Sequence, residues 1–533
     1  MIKATSEFLA QIDAKAEKLK KIILESETNL PEILGKSIYV SNEGNDDNDG
    51  LTPESAIATF EKLETISLNP GDVVFFRRGD MWRIKYYNVA PGVTLSAYGK
   101  GKKPIISCSP CNAADPAMWE LVEGTKNIWK LNFEICDVGN IEFDNGIFAY
   151  KYLNTVINKK YYLYSLKGVT EYVASAIKDI DENEKEFNDM EFDVTKHLEQ
   201  DLSFIQFNLK DFNNNGAPKL TVDNTGPLYL RCDKGNPGEI FSSIEFLAGR
   251  NCLNIRGNSI TIDNLCIKHC GAHGVGAGTT LELLVQNCEF GPLGGAIQSY
   301  GYNPDTGINT AFRYGNAVEI YGACKDYIVK NCYIHDIYDA GVTHQCKAKY
   351  ADTERTLKSA LVRPGKSEQT FEIKGSIVME DVKYLDNLFE RCIYSIEYFC
   401  DQPDGDEDIM RNILMEGNIC RFAGGWGWQR PNKVARHIQG GWLGLKRKYP
   451  AENYVVKNNI FDRSIDVLVS ISSTKESDLP IMQGNTYIQD AGKNYGMYGV
   501  PYDKYYPFDE KTEKDVILGK QNENDAKYYV VEG

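Results

Sequence analysis

No run of the sequence approaches the ~20 consecutive apolar residues that a membrane-spanning helix requires, so no partnership with a membrane is expected. Positive charge is also in deficit: 59 Lys and Arg stand against 75 Asp and Glu, a formal net charge of -16. A surface of that sign repels nucleic acid and anionic membranes. It would repel a polyanionic glycan too, unless a cation or a local basic patch intervened. The first residues, MIKATSEFLAQIDAKAEKLKKIILESE, lack the apolar block of an export signal. Phe8, Ile12, Leu19 and Ile23 instead fall on one face of a helix. Histidine is scarce, with six in the chain, five of them between 269 and 437. Cysteine is not scarce, at fourteen, yet Cys266, Cys288, Cys332 and Cys420 each sit singly inside an apolar strand pattern. Buried free thiols in a reducing compartment are the simpler expectation, and the expected location is cytoplasmic.

What the chain does have is repetition. From about residue 250, ITIDNLCIKHC, LLVQNCEFGPL, YIVKNCYIHDI, KYLDNLFERCI, MEGNICRFAGG and YVVKNNIFDRS each join a strand-like run to an Asn and a second apolar run. The anchors align as Asn264, Asn287, Asn331, Asn387, Asn418 and Asn459, the first two 23 residues apart. Self-similarity at that period, with no helical stretch between short strands, predicts an all-β solenoid whose coils bury their apolar faces on one another. A further strand in each coil aligns Val275, Val318, Val342, Ile396, Trp428 and Val467 as inward residues. Strand side chains alternate, so the outward ladder reads Gly276, Glu319, Thr343, Glu397, Gln429 and Leu468. The stretch IHDIYDAGVTHQ then puts Asp336 and Asp339 in the turn feeding the Val342 rung, between the rungs of Glu319 and Glu397. Gln298 joins the ladder only if residues 296–316 form an extra coil; they are read as a loop.

The segments SIYVSNEGNDDNDGLTPESAIATFEKL, PGDVVFFRRGDMWR and VAPGVTLSAYGKGKKPIISCS resemble the opening of right-handed parallel β-helix proteins of the pectate-lyase-like superfamily, many of them carbohydrate-active enzymes. The resemblance implies a right-handed parallel β-helix. GNAVEIYG, IYDAGVTHQ and YSIEYF look like motifs of its glycoside-hydrolase-like members, whereas the polygalacturonase pattern of paired Asp followed by Gly-His-Gly is absent. Fold alone leaves hydrolase, lyase, epimerase and adhesin open. The expected organisation is a helical cap over 1–36, first coils over 37–110, a β-rich insertion over 111–245, the main β-helix with its cleft over 246–490, and a cap or tail over 491–533. NEGNDDNDG lacks the closing Glu and helical flanks of a calcium loop and reads as an Asx-rich turn.

Neighbouring rungs are ~4.8 Å apart, which separates Glu319 and Glu397 by roughly 9.6 Å at Cα. Inverting glycosidases hold their carboxyls roughly 6.5–9.5 Å apart and retaining enzymes ~5–5.5 Å. Glu319 with Glu397 suits the first geometry, and Asp339 with either Glu the second. The expected catalytic residues are therefore Glu319, Asp339 and Glu397. His273 and His344 are candidates to orient a carboxylate or bind a sugar hydroxyl, although His344 also fits a core position. Asp336, Trp426, Arg430, His437 and Trp442 complete the expected substrate-binding set; GGWGWQRPNKVARHIQGGW holds three of the six tryptophans, flat faces suited to sugar rings. The expectation is a glycoside hydrolase with a carbohydrate substrate, no nucleic-acid partner, no cofactor and no metal. The alternatives are a lyase or epimerase on a uronate glycan, using Arg430, Arg436 or a Ca²⁺, and a non-catalytic glycan-binding solenoid. Oligomeric state is left open.

Overall fold

The computed structural model describes residues 1–30, 33–157, 160–164, 186–187, 198–206, 224–303, 308–346, 377–400, 409–424, 433–440, 451–473, 475–500 and 505–532. Three long sheets of 11, 10 and 11 strands are stacked coil upon coil, each parallel except where the strand Tyr506–Pro507 closes one edge antiparallel. The chain is a right-handed parallel β-helix. Each coil visits the sheets in one order. The coil Leu283–Gln286, Glu289–Phe290, Val318–Tyr321 is followed by Cys324–Lys330, Tyr333–His335, Ala340–Cys346, with every strand pairing to its successor in the next coil.

The Asn repeat marks the turn between the first two sheets, but it contains two different positions. Asn264, Asn287 and Asn331 have positive φ (57°, 54° and 53°), a left-handed conformation that Asn tolerates. Strand register aligns these with Asp386, Gly417, Asn458 and Gly484, which also have positive φ. Asn387, Asn418 and Asn459 therefore lie one residue later than the sequence alignment placed them. They are buried and stack with Asn485 as an amide ladder. The Asn459 side chain donates to Met415 O (3.0 Å) and Asn485 Oδ1 (3.0 Å), and its Oδ1 accepts from Asn418 N (3.0 Å) and Nδ2 (2.9 Å). In the two preceding coils Cys288 and Cys332 occupy this inward position, where their thiols donate to backbone carbonyls.

The core is aromatic as well as aliphatic: Phe290, Phe389, Phe461, Tyr487 and Tyr528 line one inward column. The helix Ser6–Leu24 forms as expected, but it does not cap the first coil. The strand Ile2–Lys3 pairs with Lys527–Val531 at the far end, and the helix runs back along the middle sheet, with Ile12, Ala16 and Ile23 packed on Tyr333, Leu388, Ile419 and Ile460. That outward apolar stripe needs a cover, and an amphipathic helix supplies it. The C-terminal segment packs over the last coils. Asn494–Gly499 and Lys527–Val531 extend two sheets, and helical turns over Glu510–Thr512 and Glu513–Lys520 drive Val516 and Ile517 into the open end of the core.

Within 111–245 the chain builds small, largely antiparallel sheets, among them Trp119–Leu121, Ile128–Leu131, Ser203–Gln206 and Leu228–Arg231 around a separate apolar cluster. Residues 296–316 form no extra coil: Ile297–Asn303 and Ile308–Arg313 make an antiparallel hairpin that pairs with Leu153–Ile157 of this region. The Asx-rich segment closes on itself, Asn45 Oδ1 accepting from Asp47 N and Asp49 Oδ1 from Leu51 N and Ser55 Oγ.

Candidate active site

Cross-strand register pairs Asn88 with Asn254, Asn254 with Gly276, Gly276 with Glu319, Glu319 with Thr343, Thr343 with Glu397, Glu397 with Gln439 and Gln439 with Ser470. The central part of the outward ladder is thus as the repeat gives it, with Glu319 and Glu397 two rungs apart. Its last rungs differ. Ile396 pairs with Ile438, not Trp428, and Ile438 with Val469, not Val467, so Gln439 and Ser470 take the outward places. Trp426, Trp428, Arg430 and Trp442 lie outside the described residues.

Three carboxyls converge here. Asp339 sits in the turn before the strand Ala340–Cys346, its N–H donating to Gly315 O (3.1 Å) and its carbonyl accepting from Tyr394 N (2.9 Å). Its carboxylate is ion-paired with Lys433. The Lys433 ammonium lies 5.8 Å from the Tyr338 ring centroid and 5.5 Å from that of Tyr394, and Arg436 covers Tyr394 at 5.5 Å. Burial pushes the Glu397 carboxyl up to about 8, with Asp339 and Glu319 adding to the rise and Lys433 and Arg436 opposing it. Gln345 Nε2 donates to Glu397 Oε2 at 2.8 Å and fixes its orientation. Burial also pushes Glu319 up to about 7, Asn316 and Lys433 opposing and Asp339 adding.

Asn316 organises the Glu319 side. Its side-chain amide donates to Glu319 Oε2, its backbone N–H to His273 Nδ1 (3.0 Å), and its Oδ1 accepts from Ala340 N (2.7 Å). His273 Nδ1 is 3.1 Å from Glu319 Oε2, and the imidazole stacks on Tyr314 with centroids 5.2 Å apart. Burial lowers His273 to about 4, so the ring is neutral at pH 7. Asn316, Lys433, Gln345 and Tyr394 are site residues that the repeat does not reveal. Lys433 sits in the NKVARH run, where the arginines and tryptophans are the conspicuous candidates.

Three expected binders belong elsewhere. His344 points into the core, fully buried, its Nδ1 2.8 Å from Tyr384 Oη and its ring stacked on Tyr398 at 5.5 Å; burial lowers it to about 3. His437 is also buried, 3.2 Å from Ser395 Oγ and stacked on Phe461. Asp336 faces the middle sheet, where it accepts from Arg391 Nε (2.7 Å) and Nη2 (2.9 Å) and lies 2.7 Å from His335 Nδ1. Burial would raise its carboxyl, but the His335 and Arg391 hydrogen bonds prevail and hold it at about 2. In each case a buried polar group has found structural partners, as burial without them would be costly.

A cleft of about 740 Å³ runs from Glu319 toward the amino-terminal coils, over Gly276, Asn254 and Asn88. Tyr86, Tyr314 and Tyr321 line it and are 47%, 36% and 39% exposed, enough to offer flat faces to a ligand. Gln298 lines it from the hairpin. Asp339 and Glu397 lie beyond its Glu319 end. Among the described residues no group of three or more His, Cys, Asp or Glu side chains is placed to hold a metal ion.

No family model matches the chain. No curated protein matches it by sequence. Among solved structures, XylC in complex with xylose is 12% identical, with a TM-score of 0.42, covering 87% of this chain and 67% of that one. A glycoside hydrolase is 10% identical with a TM-score of 0.38, covering 93% and 96%. The polygalacturonase of Erwinia carotovora ssp. carotovora is 10% identical with a TM-score of 0.31, covering 87% and 94%.

Proposed function

We propose that the chain is a glycoside hydrolase that cleaves an oligosaccharide or polysaccharide between Glu319 and Glu397. One observation carries this reading: two glutamates with raised pKa, two rungs apart on the same outward ladder, flank an Asp–Lys ion pair at the end of an aromatic-lined cleft. Glu397, protonated at neutral pH, serves as proton donor to the glycosidic oxygen. Glu319, which titrates lower, serves as the base that activates water. Their rung separation of about 9.6 Å at Cα leaves room for that water, which is the geometry of inversion. Asp339, ion-paired with Lys433, adds to the rise of both glutamates and so favours the protonated form of Glu397.

The test is a digest of neutral and uronate-containing oligosaccharides read by product mass and anomeric form. Fragments heavier by one water, released with inverted configuration, are expected. A fragment carrying a new C=C bond and no added water would mean a lyase, with attention moving to Arg436, and no turnover of any glycan would end the reading.

The carboxyl pair also sets the pH profile. Activity should rise as Glu319 ionises near pH 7 and fall as Glu397 ionises near pH 8, a narrow bell whose limbs belong to the coupled pair. Lys433 lowers both groups, so Lys433→Met should move both limbs to higher pH. Unmoved limbs would remove Lys433 from the site.

A further inference from the structure

The cleft that leads to Glu319 is opposite in sign to the molecule around it. The whole chain carries -16, yet the cleft is lined by Lys85, Arg250 and Arg256, with Glu319 the one carboxylate among its described lining residues. His273, the other titratable base on its wall, is neutral at pH 7. The lining therefore carries a net positive charge of at least two, and low-dielectric walls focus such a field into the cleft.

The cations are spread along the cleft. Arg250 acts electrostatically on Tyr314, which stacks on His273 beside Glu319. Arg256 Nε donates to Asn88 Oδ1 (2.9 Å), three rungs away at the far end. Three rungs span about 14 Å, more than one sugar ring. Between them the floor is low: a Cβ at Gly276 would come within 2.4 Å of Asn251 Nδ2, so a side chain there would force Asn251 to move. The outward amides of Asn88 and Asn254 and the exposed faces of Tyr86, Tyr314 and Tyr321 complete a lining that suits hydroxyls, C–H faces and anionic groups together.

We infer that this cleft binds an anionic saccharide, whose carboxylate or sulfate groups are held by Lys85, Arg250 and Arg256 on the amino-terminal side of Glu319. This rests on the saccharide reading above and narrows its substrate class. A basic cleft in an acidic protein gains doubly from such a ligand, because neutral sugars derive nothing from the local field and anions are kept off the remaining surface.

Binding of matched pairs to the full chain, by calorimetry at low and high salt, tests it. One pair is an oligogalacturonate and its methyl ester; the other is a sulfated chitooligosaccharide and its unsulfated parent. In at least one pair the charged member should bind tenfold or more tightly at low salt, with the advantage shrinking as salt screens it. The pair that shows this tells carboxylate from sulfate. The double substitution Arg250→Gln, Arg256→Gln, at two exposed positions, should bring the charged-to-neutral affinity ratio toward one. Equal affinities within both pairs, or a ratio that the double substitution leaves intact, would overturn the inference. Binding needs no turnover, so a charged preference without hydrolysis would sink the hydrolase proposal alone, and hydrolysis without the preference would sink this one alone.

Discussion

Replacing Glu397 by glutamine is expected to lower kcat roughly a thousandfold, a loss of about 4 kcal/mol in transition-state stabilisation, within the range for a general acid. The substitution keeps the shape of the side chain and the site for the Gln345 Nε2 bond at 2.8 Å, so the fold and the cleft stay intact. What it removes is a proton that burial and the neighbouring Asp339 carboxylate hold in place up to about pH 8. The role of Glu397 makes a sharper claim than loss of rate. A substrate whose leaving group needs no protonation should lose far less, because the missing acid is then not required. Glu319→Gln should show the opposite pattern, with the loss persisting on activated leaving groups and relieved by a small added nucleophile. Exchanged patterns would swap the two assignments. Activity surviving both substitutions would falsify the pair as catalytic.

How far the sequence led depends on which physical constraint each feature answers to. Glu319 and Glu397 were legible together because strand alternation and coil register leave little freedom: once Val318, Val342 and Ile396 are aligned inward, the next residue must face out, and Asp339 was legible only through its place in the short turn that feeds the rung between them. The rung after them was not, because WGWQR and RHIQG both offer an apolar residue followed by Gln, and only pairing with Ile396 selects Ile438. Lys433 and Asn316 lie in turns rather than on rungs, where no periodicity marks them. Asp336 and His344 share the opening motif with Asp339 but answer to other partners, Arg391 on one sheet and the Tyr384 hydroxyl in the core. Residue type alone cannot separate a polar group poised for substrate from one that is satisfied inside the fold. The position of the long helix was hidden for a related reason. Its amphipathic face is readable, but the stripe it covers is assembled from Tyr333, Leu388, Ile419 and Ile460 in four different coils.

The Asn repeat yields the second large effect, and it separates two neighbouring asparagines that look alike in sequence. Asn459→Ala is expected to destabilise the coil stack by about 4 kcal/mol. It leaves Asn418 N and Nδ2 without the acceptor they share at 3.0 and 2.9 Å, and Met415 O without its amide donor. Each buried group so orphaned costs about 1–3 kcal/mol. Asn458, one residue earlier, is exposed and has φ 57°, the conformation that glycine fills at Gly417 and Gly484 in the coils on either side. Asn458→Gly should therefore change stability by less than about 1 kcal/mol, glycine's ease at positive φ offset by its greater unfolded-state entropy. Urea unfolding of the two variants, with hydrogen exchange to locate the loss, checks both. A solenoid adds its stability coil by coil, so exchange in Asn459→Ala should quicken first in the strands flanking residues 418, 459 and 485, ahead of those under the Glu319 cleft. Similar losses for the two substitutions would mean that the turn conformation, and not the amide ladder, holds this corner of the helix.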